Sequence, residues 1–292
     1  MAEGLAGAPR RRSVQCLSPK GLHRISYLEW GDVRNRDVVL CVHGLTRNAR
    51  DFDDLARALC GRYRVVCPDV AGRGESDRLP EPRLYDMPQY VSDMVTLIAR
   101  LDVEALSWVG TSMGGLIGMA LAAQSGTPVA RLVLNDVGAV VGLPALQRIA
   151  SYIGNTATFP TIEAAEAYVR MSNATFGPHG DAQWRQLTEA WMKKEPDGSW
   201  RPNYDPRIAD AYRATLPEKD IELWAVYDAI RCPTLVLRGE HSDLLSRDAS
   251  LAMAARGPKA RVVEIKGVGH APTLMHADQI ALVREFLAGE GS

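Results

Sequence analysis

The chain has 292 residues, 46% of them hydrophobic, with a formal net charge of −1 at pH 7. That balance suits a soluble globular protein with a sizeable core, and it removes the electrostatic case for binding nucleic acid or an acidic membrane. The five cysteines, Cys16, Cys41, Cys60, Cys67 and Cys232, are scattered and odd in number. They carry no Cys-x-x-Cys or Cys/His ligand spacing, so neither a disulfide framework nor a zinc site is expected.

Residues 1–12 are rich in Ala and Gly and end in Arg10-Arg11-Arg12. No apolar stretch follows, so the segment reads as a frayed tail and not a signal peptide. No apolar run reaches the ~18 residues that a membrane span needs, and a reducing cytoplasm is the expected location. Residues 24–30 read as a strand with 13–17 as its hairpin partner. Residues 37–42 form a continuous apolar run, the pattern of a strand buried on both faces, and lead into His43-Gly44-Leu45-Thr46. A helix is predicted over 50–59, a short buried strand over 64–67, and an amphipathic helix over 87–101, where Tyr90, Met94, Leu97 and Leu101 share a face.

Residues 105–109 read as a buried strand and 113–124 as a buried helix. Between them lies Gly110-Thr111-Ser112-Met113-Gly114. A strand-to-helix turn this sharp strains the backbone at Ser112 and admits only small neighbours, which gives Gly110 and Gly114 a steric reason. It also lifts the Ser112 hydroxyl to the top of the sheet, at a helix N-terminus whose dipole favours developing negative charge. A further buried strand is predicted over 129–134, ending at Asn135-Asp136. Strands alternating with helices predict a mostly parallel central sheet flanked by helices.

The pattern changes over 138–227, where helices and loops are predicted without a convincing buried strand. One helix is read over 161–171 with Thr161 as N-cap, and another over 181–194 with Trp184, Leu187 and Trp191 on one stripe. The sheet pattern then resumes: strands over 234–237 and 261–265, helices over 246–256 and 277–287. The organisation expected is a catalytic core over 13–137 and 228–292 with a helical cap, 138–227, inserted into it.

A serine hydroxyl needs a base, and the base needs an orienting acid. His270, in Gly267-Val268-Gly269-His270-Ala271-Pro272, follows the last predicted strand and is the candidate base. Two acids compete, each at the C-terminal edge of a strand, where ligands sit in open α/β sheets. Asp243 is preferred and Asp136 is the second choice. The oxyanion formed on attack needs two backbone N–H donors, expected from Met113 and Leu45, with His43 bracing the Leu45 loop. Trp184, Trp191, Phe159 and Tyr168 are candidates for an apolar pocket wall, which predicts small and medium acyl esters over long-chain lipid. Arg148, Arg170, Arg185, Lys193, Lys194, Arg201, Arg207 and Arg213 are the cap cations among which a substrate carboxylate could find a clamp.

With these motifs in order along nearly the whole chain, together with Pro68-Asp69-Val70-Ala71-Gly72-Arg73-Gly74-Glu75-Ser76-Asp77, the sequence resembles the α/β-hydrolase fold superfamily. The resemblance implies a serine esterase, lactonase, amidase or carbon–carbon-bond hydrolase that uses no cofactor and no metal. Serine at 112 is unlike the haloalkane dehalogenases and epoxide hydrolases, which use Asp there. Ala71-Gly72-Arg73-Gly74 departs from the Arg-Gly-His-Gly more usual among relatives. The activity expected is hydrolysis of a small or medium carboxylic ester through an acyl-enzyme. The alternatives are a carbon–carbon-bond, enamide or lactone hydrolase of a ring-cleavage product and, in another class, a non-catalytic small-molecule receptor. The expected partner is a small-molecule substrate, with neither nucleic acid nor membrane; monomer and homodimer are both left open.

Overall fold

The computed structural model describes residues 7–289. The chain runs through β1 (Arg10–Ser18), β2 (Gly21–Trp30), β3 (Val38–Val42), α1 (Asp53–Leu59), β4 (Arg64–Pro68), α2 (Met87–Leu101), β5 (Leu106–Thr111), α3 (Met113–Ala122) and β6 (Val129–Asn135). An inserted stretch follows: β7 (Val140–Val141), α4 (Leu143–Tyr152), α5 (Ile162–Ser172), α6 (Asp181–Trp191), β8 (Met192–Lys194), β9 (Trp200–Pro202), α7 (Ile208–Ala214), β10 (Ile221–Glu222) and α8 (Trp224–Ala229). It closes with β11 (Thr234–Gly239), α9 (Arg247–Ala255), β12 (Arg261–Ile265) and α10 (Ala277–Ala288).

Eight strands form one sheet in the order β1-β2-β4-β3-β5-β6-β11-β12. β2 is antiparallel to both of its neighbours, and all pairs from β4 to β12 are parallel. Helices cover both faces, which is why β3 and β11 are apolar without alternation. Val38, Leu40 and Val42 enter the core on one face with α2 and α3; Val39 and Cys41 enter the core on the other with α1 and α10. β3 lies between β4 and β5, so consecutive crossovers leave it in opposite directions. The crevice at such a switch point, beyond the carboxyl ends of the strands, is where ligands sit in sheets of this kind. The loop after β3 and the turn after β5 both open there. Among the described residues no helix is long and apolar enough to cross a membrane.

The turn after β5 is packed to its steric limit. A Cβ on Gly110 would lie 2.3 Å from the Gly114 carbonyl oxygen, and one on Gly114 would lie 1.9 Å from the carbonyl oxygen of Val42. Trp108, fully buried, donates its indole N–H to the Gly114 carbonyl at 3.0 Å and fixes the turn from below. Gly114→Ala drives a methyl group into the β3 backbone, which cannot give way within a parallel sheet. A loss of about 3 kcal/mol is expected, read as a fall in Tm of roughly 6 °C or more. An unchanged Tm would contradict this packing.

Two expectations need correction. Residues 10–12 are not part of a frayed tail: Arg10, Arg11 and Arg12 extend β1 and pair in register with Glu29, Leu28 and Tyr27. Arg12 meets Glu29 at 3.5 Å and Arg11 meets Asp69 at 3.3 Å, so acids buried at the sheet hold the basic run in place. The rest of that predicted tail, residues 1–6, lies outside the described residues. The short strands of the inserted stretch pair only with one another, β7 with β10 and β8 with β9, and none joins the main sheet. The helix predicted to run to residue 194 stops at Trp191, because Pro196-Asp197-Gly198 turns the chain back into a hairpin with Gly198 at φ 88°.

Candidate active site

Ser112 sits between β5 and α3 with φ 52° and ψ −117°, the strained backbone expected of so sharp a turn. Its N–H donates to the Asn135 carbonyl at 3.0 Å. Asn135 in turn donates through its side chain to Thr111 Oγ1 and to the Pro272 carbonyl, joining the ends of β5 and β6 to the loop after β12. That loop carries His270.

The His270 ring lies between a hydroxyl and a carboxylate. Nε2 is 3.0 Å from Ser112 Oγ, and Nδ1 is 2.7 Å from Asp136 Oδ2. A carboxylate only accepts, so Nδ1 carries the proton and Nε2 is free to accept from the serine. Asp136 follows β6 directly and is completely buried. Its Oδ1 accepts the Gly239 N–H at 2.8 Å, and its Oδ2 accepts the Ser242 hydroxyl at 2.6 Å. With the His270 N–H these make three donors, which offset the desolvation of the buried carboxylate.

The carboxylate on His270 is therefore Asp136, the second choice from sequence, and not Asp243. The last residue of β11 and the loop after it spend the Gly239 N–H and the Ser242 hydroxyl on Asp136, and the next side chain turns away. Asp243 forms a two-pronged ion pair with Arg148 of α4, and its side chain is 47% exposed.

The two residues expected to donate to the oxyanion are the one after Ser112 and the one after Gly44. Met113 opens α3, where first-turn N–H groups have no acceptor within the helix. Leu45 follows Gly44, which approaches so closely that a Cβ there would lie 3.6 Å from the Ser112 Cβ. His43 braces this loop as expected. It accepts the Val70 N–H at Nε2 and donates from Nδ1 to the Gly44 carbonyl, while burial pushes its pKa down to about 3. Locked neutral and turned away, it is no base. Arg73, where relatives more often carry His, is buried. It donates to the carbonyls of Leu45 and Ala71 and to the Tyr90 hydroxyl, tying the same loop to α2.

A cavity of about 640 Å³ opens over Ser112 and His270, with Arg47, Tyr168, Trp191 and Tyr204 among its walls. Of the four aromatics expected there, Tyr168 and Trp191 line it, whereas Trp184 and Phe159 do not. Trp184 shares the stripe of Trp191 but lies two helical turns away, ~10 Å along the axis. It packs edge-on against His179 instead. Phe159 stands behind Tyr168 with ring centroids 5.0 Å apart. Of the cap cations, Arg148 lines the cavity, but its charge is taken by Asp243. Sequence reasoning missed Arg47 and Asp51, which enter the cavity from the segment after β3. Burial pushes Asp51 up to about 6, and its carboxylate accepts the indole N–H of Trp191. Arg47, directly after His43-Gly44-Leu45-Thr46, and Asp51, four residues further on, were the available signal.

Among the described residues, Cys16, His23 and Asp93 form one group with metal-ligand chemistry, their ligand atoms lying within 4.8 Å of one another. The group lies on β1, β2 and α2. Burial pushes the Cys16 thiol up to about 12, which keeps it a poor ligand, and His23 and Asp93 already bond each other at 3.1 Å. The arrangement is that of a buried polar brace.

Residues 39–282 match the Alpha/beta hydrolase family. The 3-hydroxybutyrate-oligomer hydrolase of Cupriavidus necator is 50% identical over 292 residues, taking in 98% of this chain and 100% of that protein. Esterase YbfF of Escherichia coli is 25% identical, over 87% of this chain and 94% of its own. An alpha/beta hydrolase from Novosphingobium aromaticivorans, solved by crystallography, superposes with a TM-score of 0.87 at 38% identity, covering 98% of this chain and 99% of that one. The chain belongs to the alpha/beta hydrolase family, and it is a hydrolase.

Proposed function

We propose that the protein cleaves carboxylic esters through an acyl-enzyme on Ser112, and that its substrates are short oligoesters of 3-hydroxybutyrate. The observation that carries the reading is the continuous relay from Ser112 Oγ through His270 to Asp136 beneath a cavity. The choice of substrate is supported by the end-to-end likeness to the 3-hydroxybutyrate-oligomer hydrolase.

Ser112 Oγ attacks the ester carbonyl carbon while its proton passes to Nε2 of His270. Asp136 stabilises the imidazolium, and the N–H groups of Leu45 and Met113 receive the oxyanion. The carbon–oxygen ester bond breaks, and the leaving alkoxide takes the proton from Nε2. Water then gives a proton to Nε2 and attacks the acyl carbon; Ser112 leaves and recovers its proton. The insertion over 138–227 acts as a cap that limits the size of the acyl group. The cytoplasm is the proposed location, supported by five free cysteines. A small molecule is the proposed partner.

The test is incubation of purified protein with the 3-hydroxybutyrate dimer and trimer, p-nitrophenyl butyrate and an emulsified long-chain triglyceride. Release of 3-hydroxybutyrate, with the triglyceride at least ~100-fold slower, is expected from a cavity of this size. Cleavage of p-nitrophenyl butyrate with the oligomers untouched would overturn the substrate, and no turnover of any ester would overturn the activity.

A further inference from the structure

Arg47 occupies an unusual position for a cation. A methyl group placed on Gly44 would lie 3.6 Å from Ser112 Cβ and 3.9 Å from Arg47 Cγ, so the arginine stem starts beside the serine, across a single glycine. Its guanidinium lies over the Trp191 ring with Cζ 3.6 Å from the centroid, and Phe176 flanks it at 5.3 Å. One N–H donates to Asn173 Oδ1 at 2.5 Å. Among the described residues no carboxylate forms an ion pair with it, whereas the cavity's other arginine, Arg148, is held by Asp243. The nearby acid, Asp51, is turned to the Trp191 indole.

Desolvation of an arginine is costly; the field of Asp51 offsets part of that cost, but without a direct ion pair a guanidinium held in a cavity destabilises the fold unless it serves a ligand. Burial lowers the Arg47 pKa, in keeping with that cost. Trp191 and Asn173 fix the plane of the fork and leave further N–H donors for an anion, the arrangement that suits two-pronged carboxylate recognition.

We infer that Arg47 binds the free carboxylate at the end of a hydroxyacid oligoester, so that the enzyme releases monomers from the carboxyl terminus. The inference rests on the oligoester reading above. In the last linkage of such a chain, the leaving oxygen and the free carboxylate belong to the same short monomer, which places the charge a few bonds from the carbon that Ser112 attacks. Arg47 is thus a specificity residue for the leaving group and takes no part in proton transfer.

The experiment compares the 3-hydroxybutyrate dimer as free acid with its methyl ester, in the wild type and in Arg47→Gln and Arg47→Lys. The wild type is expected to prefer the free acid. Arg47→Gln is expected to lower the acid-to-ester ratio of kcat/KM by about 10- to 100-fold, the effect of removing a hydrogen bond to a charged group, and Arg47→Lys to recover part of it. Equal losses on acid and ester would overturn the inference and leave Arg47 a brace between Asn173 and Trp191; an unchanged ratio would overturn it as well. A wild-type measurement covers the case of a variant that does not fold. 3-Hydroxybutyrate is expected to inhibit p-nitrophenyl butyrate hydrolysis at least ~10-fold more strongly than its amide, and equal inhibition would overturn the clamp. If the dimer is not cleaved but this carboxylate selectivity holds, the oligoester reading fails and the clamp stands. If the dimer is cleaved without preference for the acid, the clamp fails and the oligoester reading stands.

Discussion

Ser112→Ala and His270→Ala are each expected to lower kcat by ~10⁴–10⁶, and the double variant is expected to lose little more. The two groups act as one device. The hydroxyl is 3.0 Å from Nε2, and without the base it stays a weak nucleophile; without the hydroxyl, the base has no proton to take. What remains is transition-state binding by the cavity and the oxyanion donors. Esterase assays on the two single variants and the double variant check this. Losses that multiply would contradict a coupled pair.

Asp136→Asn is expected to cost ~10⁴ in kcat, while Asp243→Asn keeps most activity. An amide at position 136 places an N–H₂ or a weaker acceptor where Nδ1–H now donates, and the imidazole is pushed to the tautomer that cannot take the serine proton. The amide is isosteric: its oxygen keeps the Gly239 N–H, and the Ser242 hydroxyl, which is free to rotate, accepts from the NH₂ that replaces Oδ2, so the fold is expected to survive. Asp243 touches neither His270 nor Ser112. Its loss frees Arg148 at the cavity wall, which predicts a change in KM larger than any change in kcat. Steady-state kinetics on both variants decides the matter. The reverse ranking would return the acid to Asp243.

Much of the core was legible because its signals are local. β3, β4, β5, β6 and β11 announce themselves as short apolar runs, since each lies inside the sheet and is largely buried; β12, at the sheet edge, is only partly buried and is read from Val262, Val263 and Ile265. Met87–Leu101 was readable to the residue, because Asp86 caps it and a left-handed Asp102 ends it. Gly110 and Gly114 pointed to the turn because no Cβ fits at either position. The choice of acid was not local. Asp136 and Asp243 both follow strands, and what separates them is the side chain of Ser242 and a partner, Arg148, 95 residues away. The cavity wall failed for a similar reason. Helical periodicity tells which face Trp184 and Trp191 share, but not that only the C-terminal end of α6 reaches the cavity. Arg10–Arg12 read as tail because the partners that order them, Glu29 and Asp69, lie on other elements.

The central claim is that Ser112 is the group acylated. Phenylmethanesulfonyl fluoride forms a covalent adduct with a serine activated by a neighbouring base, and peptide mapping by mass spectrometry locates it. The account predicts one adduct, on the peptide carrying Ser112, in step with loss of esterase activity and absent in Ser112→Ala. An adduct on another residue accompanying the inactivation, with Ser112 unmodified, would contradict it.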